Sequence, residues 1–167
     1  MRRTLILIAF CTTLAACGGG EEDSSYIRAM IDGSMWSAEA SEGEVVYLVD
    51  GPDGIVSVAS RTVGGGSQIF SVVLPNPPGL GTTSLDGSAA HAAYSTCPNV
   101  DLADCASWVA IASDPGILTI TRIEPNTGLI EGGFAFRGHL LGQPVGPTKT
   151  ISSGWFVVYA PSVFILE

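Results

Sequence analysis

Two histidines are the first side chains in this chain that could do chemistry. His91 and His139 are the only histidines in the sequence, so a Ser–His–acid triad would have to use one of them. The dipeptide Gly87-Ser88 is followed by Ala89, which departs from the Gly-x-Ser-x-Gly nucleophile elbow. His91 is interpreted as a structural strand residue, and His139 as an exposed or rim residue. We therefore predict that the chain is not an enzyme; an unusual hydrolase built on either histidine is the least favoured alternative.

Three pairs of carboxylates could serve a glycosidase or bind a calcium ion. They are Asp50 with Asp53, Glu42 with Glu44, and Asp101 with Asp104. Glycosidases place carboxylates on either side of the bond they cleave, and calcium takes carboxylate and carbonyl oxygens. Asp50 and Asp53 lie in a hairpin turn, where aspartate favours the turn through its own backbone. Neither aspartate pair has the dense acidic spacing of a calcium loop. Turn residues are the favoured interpretation, and we predict no metal site and no cofactor.

The N-terminal segment has the order of residues found in an export signal. Two arginines precede an apolar run over residues 5–10, and small residues precede Cys17. The apolar stretch is shorter than the roughly 20 residues that a membrane span requires. The sequence Leu-Ala-Ala-Cys at 14–17 resembles the lipobox of bacterial lipoproteins. A plain secretory signal that is cut elsewhere is the alternative.

The lipobox resemblance implies a location and a domain organisation. Residues 1–16 would be a signal peptide, and Cys17 would carry fatty chains such as palmitate, which hold a protein stably at a membrane when two or more are present. Residues 17–25 would form a flexible lipidated tether, and residues 26–167 an all-β domain. Gly18 follows the cysteine where aspartate would resemble an inner-membrane retention signal. The implied location is the cell envelope, with the outer membrane favoured.

Charge excludes one class of partner. Removal of residues 1–16 would take two arginines, so five cations would remain against sixteen acidic residues, a net charge of −11. A protein of that charge repels the phosphates of nucleic acids. We therefore expect no nucleic-acid partner, and membrane lipid is the partner implied at the acylated Cys17.

An exported chain also favours a disulfide between the two cysteines that lie beyond the lipobox. Cys97 and Cys105 would close a nine-residue loop, and exported thiols tend to pair. Two thiolates leave half of a tetrahedral zinc site empty. The sequence therefore predicts a Cys97–Cys105 disulfide.

The three tryptophans are the remaining candidates for contact with a ligand. Trp36, Trp108 and Trp155 each fall in a predicted strand, where core packing is the favoured interpretation. Trp36 is the exception we single out as a candidate ligand contact, because polar serines stand near it. The Pro- and Gly-rich stretch over 75–87 is the longest irregular segment and the first candidate for a contact surface.

The elements that must position these residues are predicted to be strands. Twenty-one glycines and ten prolines punctuate the chain, and little of the rest has the 3.6-residue period of a surface helix. Strands are predicted at 26–31, 35–40, 44–49, 55–63, 68–74, 89–95, 106–113, 116–124, 129–140, 150–160 and 162–166. About ten strands joined by short turns indicate a single antiparallel β-sandwich or barrel.

Several strand motifs resemble those of a family of small, uncharacterised bacterial β-lipoproteins of unknown function. The motifs are Ile-x-Gly-x-x-Trp-x-Ala at 31–38, Gly-x-Leu-x-Ile-Thr at 116–121 and Ile-x-Gly-x-Phe-x-Phe at 130–136. The resemblance implies the fold and the location and supplies no catalytic residues. The function expected from the sequence is a non-catalytic binding or interaction module, whose partner would be an envelope protein or a glycan. A structural or envelope-assembly role is the alternative.

Overall fold

The computed structural model describes residues 25–40, 45–51, 54–75, 78–88, 90–99, 104–143 and 145–159. These residues form eleven strands and no α-helix. The strands are β1 (Tyr26–Ile31), β2 (Ser34–Glu39), β3 (Val45–Gly51), β4 (Gly54–Val63), β5 (Gly66–Val73), β6 (Gly81–Leu85), β7 (His91–Cys97), β8 (Ala106–Val109), β9 (Gly116–Glu124), β10 (Leu129–Leu140) and β11 (Thr148–Tyr159).

All the strands belong to one antiparallel sheet that curves back on itself. The main path runs β2-β1-β11-β10-β8-β7-β5-β4-β3, and β9 pairs with both β10 and β6. The last strand of the path, β3, lies beside β2 and β11 at the other end of it. The sheet is therefore a nearly closed barrel. This confirms the predicted all-β antiparallel domain of about ten strands.

Two local features show how the sequence bends the chain into this sheet. Asp32 and Gly33 both have positive φ, 49° and 81°, as a two-residue type I′ hairpin turn requires, and they join β1 to β2. Ser153 in β11 has a φ of 49°, and the register of β11 shifts next to it against both β1 and β10. Such bulges increase the local twist of a strand, which favours closure of the sheet.

The structure corrects the prediction for residues 75–87. Within that stretch, β6 pairs with β9; Leu85 is fully buried, and the hydroxyl oxygens of Thr82 and Thr119 lie 3.0 Å apart. The strand was missed because proline and glycine on both sides hide a five-residue run of mixed polarity. The predicted strand over 162–166 lies outside the described residues.

The interior of the barrel is filled with aromatic rings. The ring of Phe70 contacts those of Trp36, Tyr94, Phe134 and Phe136, with centroid separations of 5.3, 5.8, 5.0 and 6.2 Å. Tyr94 is the ladder partner of Phe70 on the neighbouring strand β7. Trp36 lies on β2, and Phe134 and Phe136 lie on β10, so the rings also join strands that do not pair with β5. Aromatic pairs at such separations add stability beyond the area they bury.

Close packing of the rings depends on a glycine in β10. Gly132 pairs with Phe156, and a methyl group at Gly132 would lie 2.8 Å from Cζ of Phe156 and even closer to the carbonyl oxygen of Thr119. Backbone and a fully buried ring must therefore both move to admit a side chain at this position.

We expect Gly132→Ala to lower the free energy of unfolding by about 2 kcal/mol, the usual effect of overpacking a core. Gly133→Ala is the matched control, because its new methyl group would meet its nearest atom, the carbonyl oxygen of Gly154, at 3.2 Å. The control should lose less than about 1 kcal/mol. Urea unfolding of both variants tests this, and equal losses would contradict it.

The predicted disulfide is confirmed. Cys97 at the end of β7 is bonded to Cys105, eight residues later and directly before β8. The bond closes the connection between two paired strands, so it restricts the unfolded chain over a short loop. Chain-entropy arithmetic gives such a loop about 2.5 kcal/mol of stabilisation.

Reduction of the disulfide should therefore lower the free energy of unfolding by about 2.5 kcal/mol. The measurement is urea unfolding with and without dithiothreitol. The double variant Cys97→Ala/Cys105→Ala should resemble the reduced wild type and should not respond to the reductant. A wild type that keeps its full stability after both thiols are shown to be free would contradict the expectation.

Candidate binding site at the mouth of the barrel

One end of the barrel carries an unusual set of inward-facing side chains. β1, β4, β7 and β10 all end there, and β2, β5, β8 and β11 begin there. We call this end the mouth. Because side chains alternate across a strand, the face that is apolar in the core continues to the mouth, where its residues become polar.

Arg61 and Gln68 are the inward-facing pair on β4 and β5. They are partners in the ladder, two positions beyond the buried pair Ala59 and Phe70. Nε of Arg61 donates to Oε1 of Gln68 at 2.9 Å, and its guanidinium carbon lies 5.5 Å from the centre of the Trp36 ring. The arginine is therefore fixed against an aromatic face by a hydrogen bond and a cation–π contact.

Lys149 takes the equivalent position on β11. Its Nζ lies 4.7 Å from the centre of the Trp108 ring, and the Trp108 ring is stacked on Tyr94 with centroids 5.9 Å apart. Nζ also donates to Oδ2 of Asp32 at 3.2 Å. Each inward-facing cation at the mouth thus lies over a tryptophan.

Asp32 links the β1–β2 turn to β11. Its Oδ1 accepts a hydrogen bond from the backbone N–H of Thr150 at 2.8 Å, and its own N–H donates to the carbonyl of Thr150 at 2.9 Å. The bond from Thr150, followed by the hydrogen bond and charge of Lys149, lowers the pKa of Asp32 from its ordinary value of 3.8. The carboxylate is therefore charged at neutral pH.

The hydroxyl of Tyr94 lies in the same electrostatic environment. Burial raises the pKa of Tyr94, the positive charge of Arg61 opposes that shift, and the negative charge of Asp32 adds to it. Tyr94 is therefore a neutral phenol at physiological pH.

Two indole N–H groups at this site are buried without a partner. Nε1 of Trp36 and Nε1 of Trp108 have no hydrogen-bond acceptor among the described residues. A buried donor left unpaired costs about 1–3 kcal/mol, and most buried polar groups in proteins are paired. Two such groups in tryptophans that both contact Tyr94 mark this part of the barrel as different from the rest of the core.

A surface depression of about 320 Å³ opens beside these residues. Its lining residues are Val63, Gly64, Gly66, Ser67, Gln68, Thr96, Cys97 and Pro98. They belong to the β4–β5 turn and to the ends of the strands around it. Gln68 lines this depression and also binds Arg61, so the depression and the polar cluster share one side chain.

The structure corrects the exposure expected of Trp36. The residue is 2 % exposed, because it shares the inner face of β2 with the fully buried Ala38 rather than the outer face with Ser37. A ligand on the outer surface does not reach the ring. The sequence signal that drew attention to Trp36, its nearby serines, says nothing about which face of the strand it occupies.

The two histidines are not brought together. His91 is exposed at the start of β7, whereas His139 faces outward on β10, and its Nε2 lies 3.0 Å from Oδ2 of Asp114. Arg137 donates to the same carboxylate oxygen at 3.4 Å. The His139 side chain is only 13 % exposed. Its partner Asp114 lies in the β8–β9 connection, and no signal in the sequence indicated this pairing.

Other predicted site residues fall largely outside the described part of the chain. Glu42, Glu44, Asp53, Asp101 and Cys17 are among these, and only the backbone of Asp50 is described. Asp104 is exposed. Among the residues that are described, no three His, Cys, Asp or Glu side chains form a group that could hold a metal ion. The described residues also contain no helix that is long and apolar enough to cross a membrane.

Comparison with models of protein families, with curated proteins and with solved structures found no match to this chain.

Stability should depend on Asp32 in a pH-dependent way. Asp32→Ala removes the acceptor of the Thr150 N–H and the partner of Lys149, so we expect a loss of about 1 kcal/mol at pH 7. Because the folded-state pKa is lowered, this stabilisation is present above the unfolded-state pKa and is lost as the pH falls through the folded-state value.

The matched control is Asp32→Asn, which keeps an acceptor and tolerates positive φ but carries no charge. Thermal unfolding should show that wild type has a higher unfolding midpoint than both variants at pH 7. The difference in midpoint between wild type and Asp32→Asn should be smaller at pH 3. An advantage that stays constant between the two pH values would contradict a role for the charge.

Proposed function

We propose that this chain is a lipid-anchored protein of the bacterial envelope, and that its barrel is a non-catalytic binding module with its ligand at the mouth. The observation that carries the proposal is the pair of buried N–H groups of Trp36 and Trp108, which have no acceptor among the residues that the structure describes. Buried polar groups in proteins are usually paired, so we take these two donors as the hydrogen-bonding part of a binding site. The cations Arg61 and Lys149 over the same two rings support the assignment.

The filled interior favours binding over catalysis. Phe70 and its aromatic neighbours occupy the centre of the barrel, whereas enzymes commonly enclose their substrates in a deep pocket with converging polar groups. The His139–Asp114 pair is the observation that favours a hydrolase, because a carboxylate can orient an imidazole as a base. It lies on the outer face of the sheet and shares its carboxylate with Arg137, as a surface ion pair does.

The anchor is supported by the sequence at 14–17 and by the family resemblance of the strand motifs. We propose that Cys17 is acylated and that the protein resides in the envelope, with the outer membrane favoured. A tether over 17–25 would have a coil length of about 15 Å. Its partners would be membrane lipid at Cys17 and a ligand or envelope protein at the mouth.

The direction of β1 relates the proposed anchor to the mouth. β1 begins at Tyr26 at the opposite end of the barrel and runs toward the mouth. A tether attached there would place the mouth on the side away from the anchoring membrane. This orientation favours a ligand that arrives from the aqueous side.

The anchor predicts incorporation of palmitate. Cells that express the chain and are grown with labelled palmitate should yield labelled protein, and Cys17→Ser should abolish the label. Cys11→Ser is the matched control, because Cys11 lies in the same segment but within the part that would be removed; its label should persist. An unlabelled wild type, or a Cys17→Ser variant that retains the label, would refute the anchor.

A further inference from the structure

Two cationic side chains of this protein lie inward at the mouth. Residues 17–167 contain five cationic side chains. Arg28, Arg122 and Arg137 are exposed on the outer surface. Arg61 and Lys149 instead point inward at one end of the barrel, in a protein whose remaining charge is strongly acidic. The mouth is therefore a local positive site on a negative molecule, although Asp32 neutralises part of the charge of Lys149.

Four polar side chains at the mouth are hydrogen-bond donors only. Arginine, lysine and the indole N–H donate and cannot accept, so Arg61, Lys149, Trp36 and Trp108 together seek acceptors. Gln68 and Asp32 each satisfy one cation, while both indole donors stay unpaired among the described residues. Carboxylate or phosphate oxygens accept without donating, and bonds from charged donors to such oxygens are the strongest of this kind.

Exposed apolar side chains also lie at this end of the barrel, and we call Val63, Leu141 and Val145 the apolar rim. Val63 at the end of β4 is 48 % exposed, and Leu141 and Val145 in the β10–β11 connection are 67 % and 100 % exposed. Val63 also lines the depression beside Gln68. Because the interior is filled by Phe70 and its neighbours, an apolar chain has to lie across this apolar rim and cannot enter the barrel.

We infer that the mouth binds a single-chain anionic amphiphile, with its oxyanion head group at Arg61, Lys149 and the indole N–H groups and its apolar chain on Val63, Leu141 and Val145. The inference rests on the proposed function and names the class of ligand. The head group satisfies the unpaired donors, and the chain covers the exposed rim. The unpaired donors do not explain the exposed apolar side chains, and the apolar side chains do not explain the donors, whereas one amphiphilic ligand explains both.

The test measures binding of three probes to the purified, unacylated Cys17→Ser full chain. Decanoate, kept below its micelle concentration, carries both parts of the ligand; decanol lacks the charge, and acetate lacks the chain. Tryptophan fluorescence reports binding, since Trp36 and Trp108 lie at the site. We expect decanoate to bind at least about tenfold more tightly than either other probe, which corresponds to the loss of one charge-assisted contact or a few buried methylenes.

Three variants locate the site. Arg61→Gln/Lys149→Gln should weaken decanoate binding at least about tenfold. Trp108→Phe, which keeps the ring stack and removes the donor, should weaken it about fivefold. Arg28→Gln, on the outer face of β1, is the matched control and should bind as wild type does. Far-ultraviolet circular dichroism confirms that each variant is folded.

Each other outcome overturns the inference. If decanol binds as tightly as decanoate, the charged head group has no role in binding. If acetate binds as tightly as decanoate, the apolar rim has no role. If decanoate binding is unchanged in both the double variant and Trp108→Phe, the ligand binds at a site other than the mouth. The palmitate experiment is independent of these binding measurements. A negative result with decanoate does not affect the proposed lipid anchor, and an unlabelled wild type in the palmitate experiment does not affect the proposed class of ligand.

Discussion

The contact of Phe70 with four other rings is the interaction on which the rest of this barrel depends. A curved sheet has to fill its centre, and in this chain aromatic rings from β2, β5, β7 and β10 meet there. β7 pairs with β5, but β2 and β10 do not, so the ring contacts also join parts of the sheet that no ladder of backbone hydrogen bonds connects directly. The glycine at 132 is a consequence of this packing, because the Phe156 ring lies over its position.

The same alternation that builds the core also builds the mouth. One residue in two faces inward on every strand, and beyond Ala59, Phe70 and Ile151 the inward positions pass to Arg61, Gln68 and Lys149. Each cation reaches a tryptophan of the core below it. The polar cluster is thus attached to the aromatic core, and its hydrogen bonds and cation–π contacts hold its side chains in place before a ligand binds.

Much of the fold follows from local sequence, and most of the site does not. The Asp32-Gly33 turn and the alternating strands of the C-terminal third are local patterns, and the short Cys97–Cys105 loop needs no distant information. β6 was missed because its partner, β9, lies more than thirty residues away along the chain, and its own residues carry little periodicity. The side on which Trp36 lies depends on the register of β2 against β1, which the flanking serines do not determine.

The mouth could not have been predicted because it is assembled from single residues on separate strands. Arg61 and Lys149 look like isolated surface cations in the sequence, and only the closure of the sheet places both over tryptophans. The two indole N–H groups are the informative departure, because they are the buried side-chain donors that have no acceptor within the described part of the chain. Each costs about 1–3 kcal/mol, a considerable fraction of the 5–15 kcal/mol that stabilises a typical domain. A ligand that accepts from both recovers that free energy on binding and also stabilises the folded state, so departures of this kind are expected at functional sites.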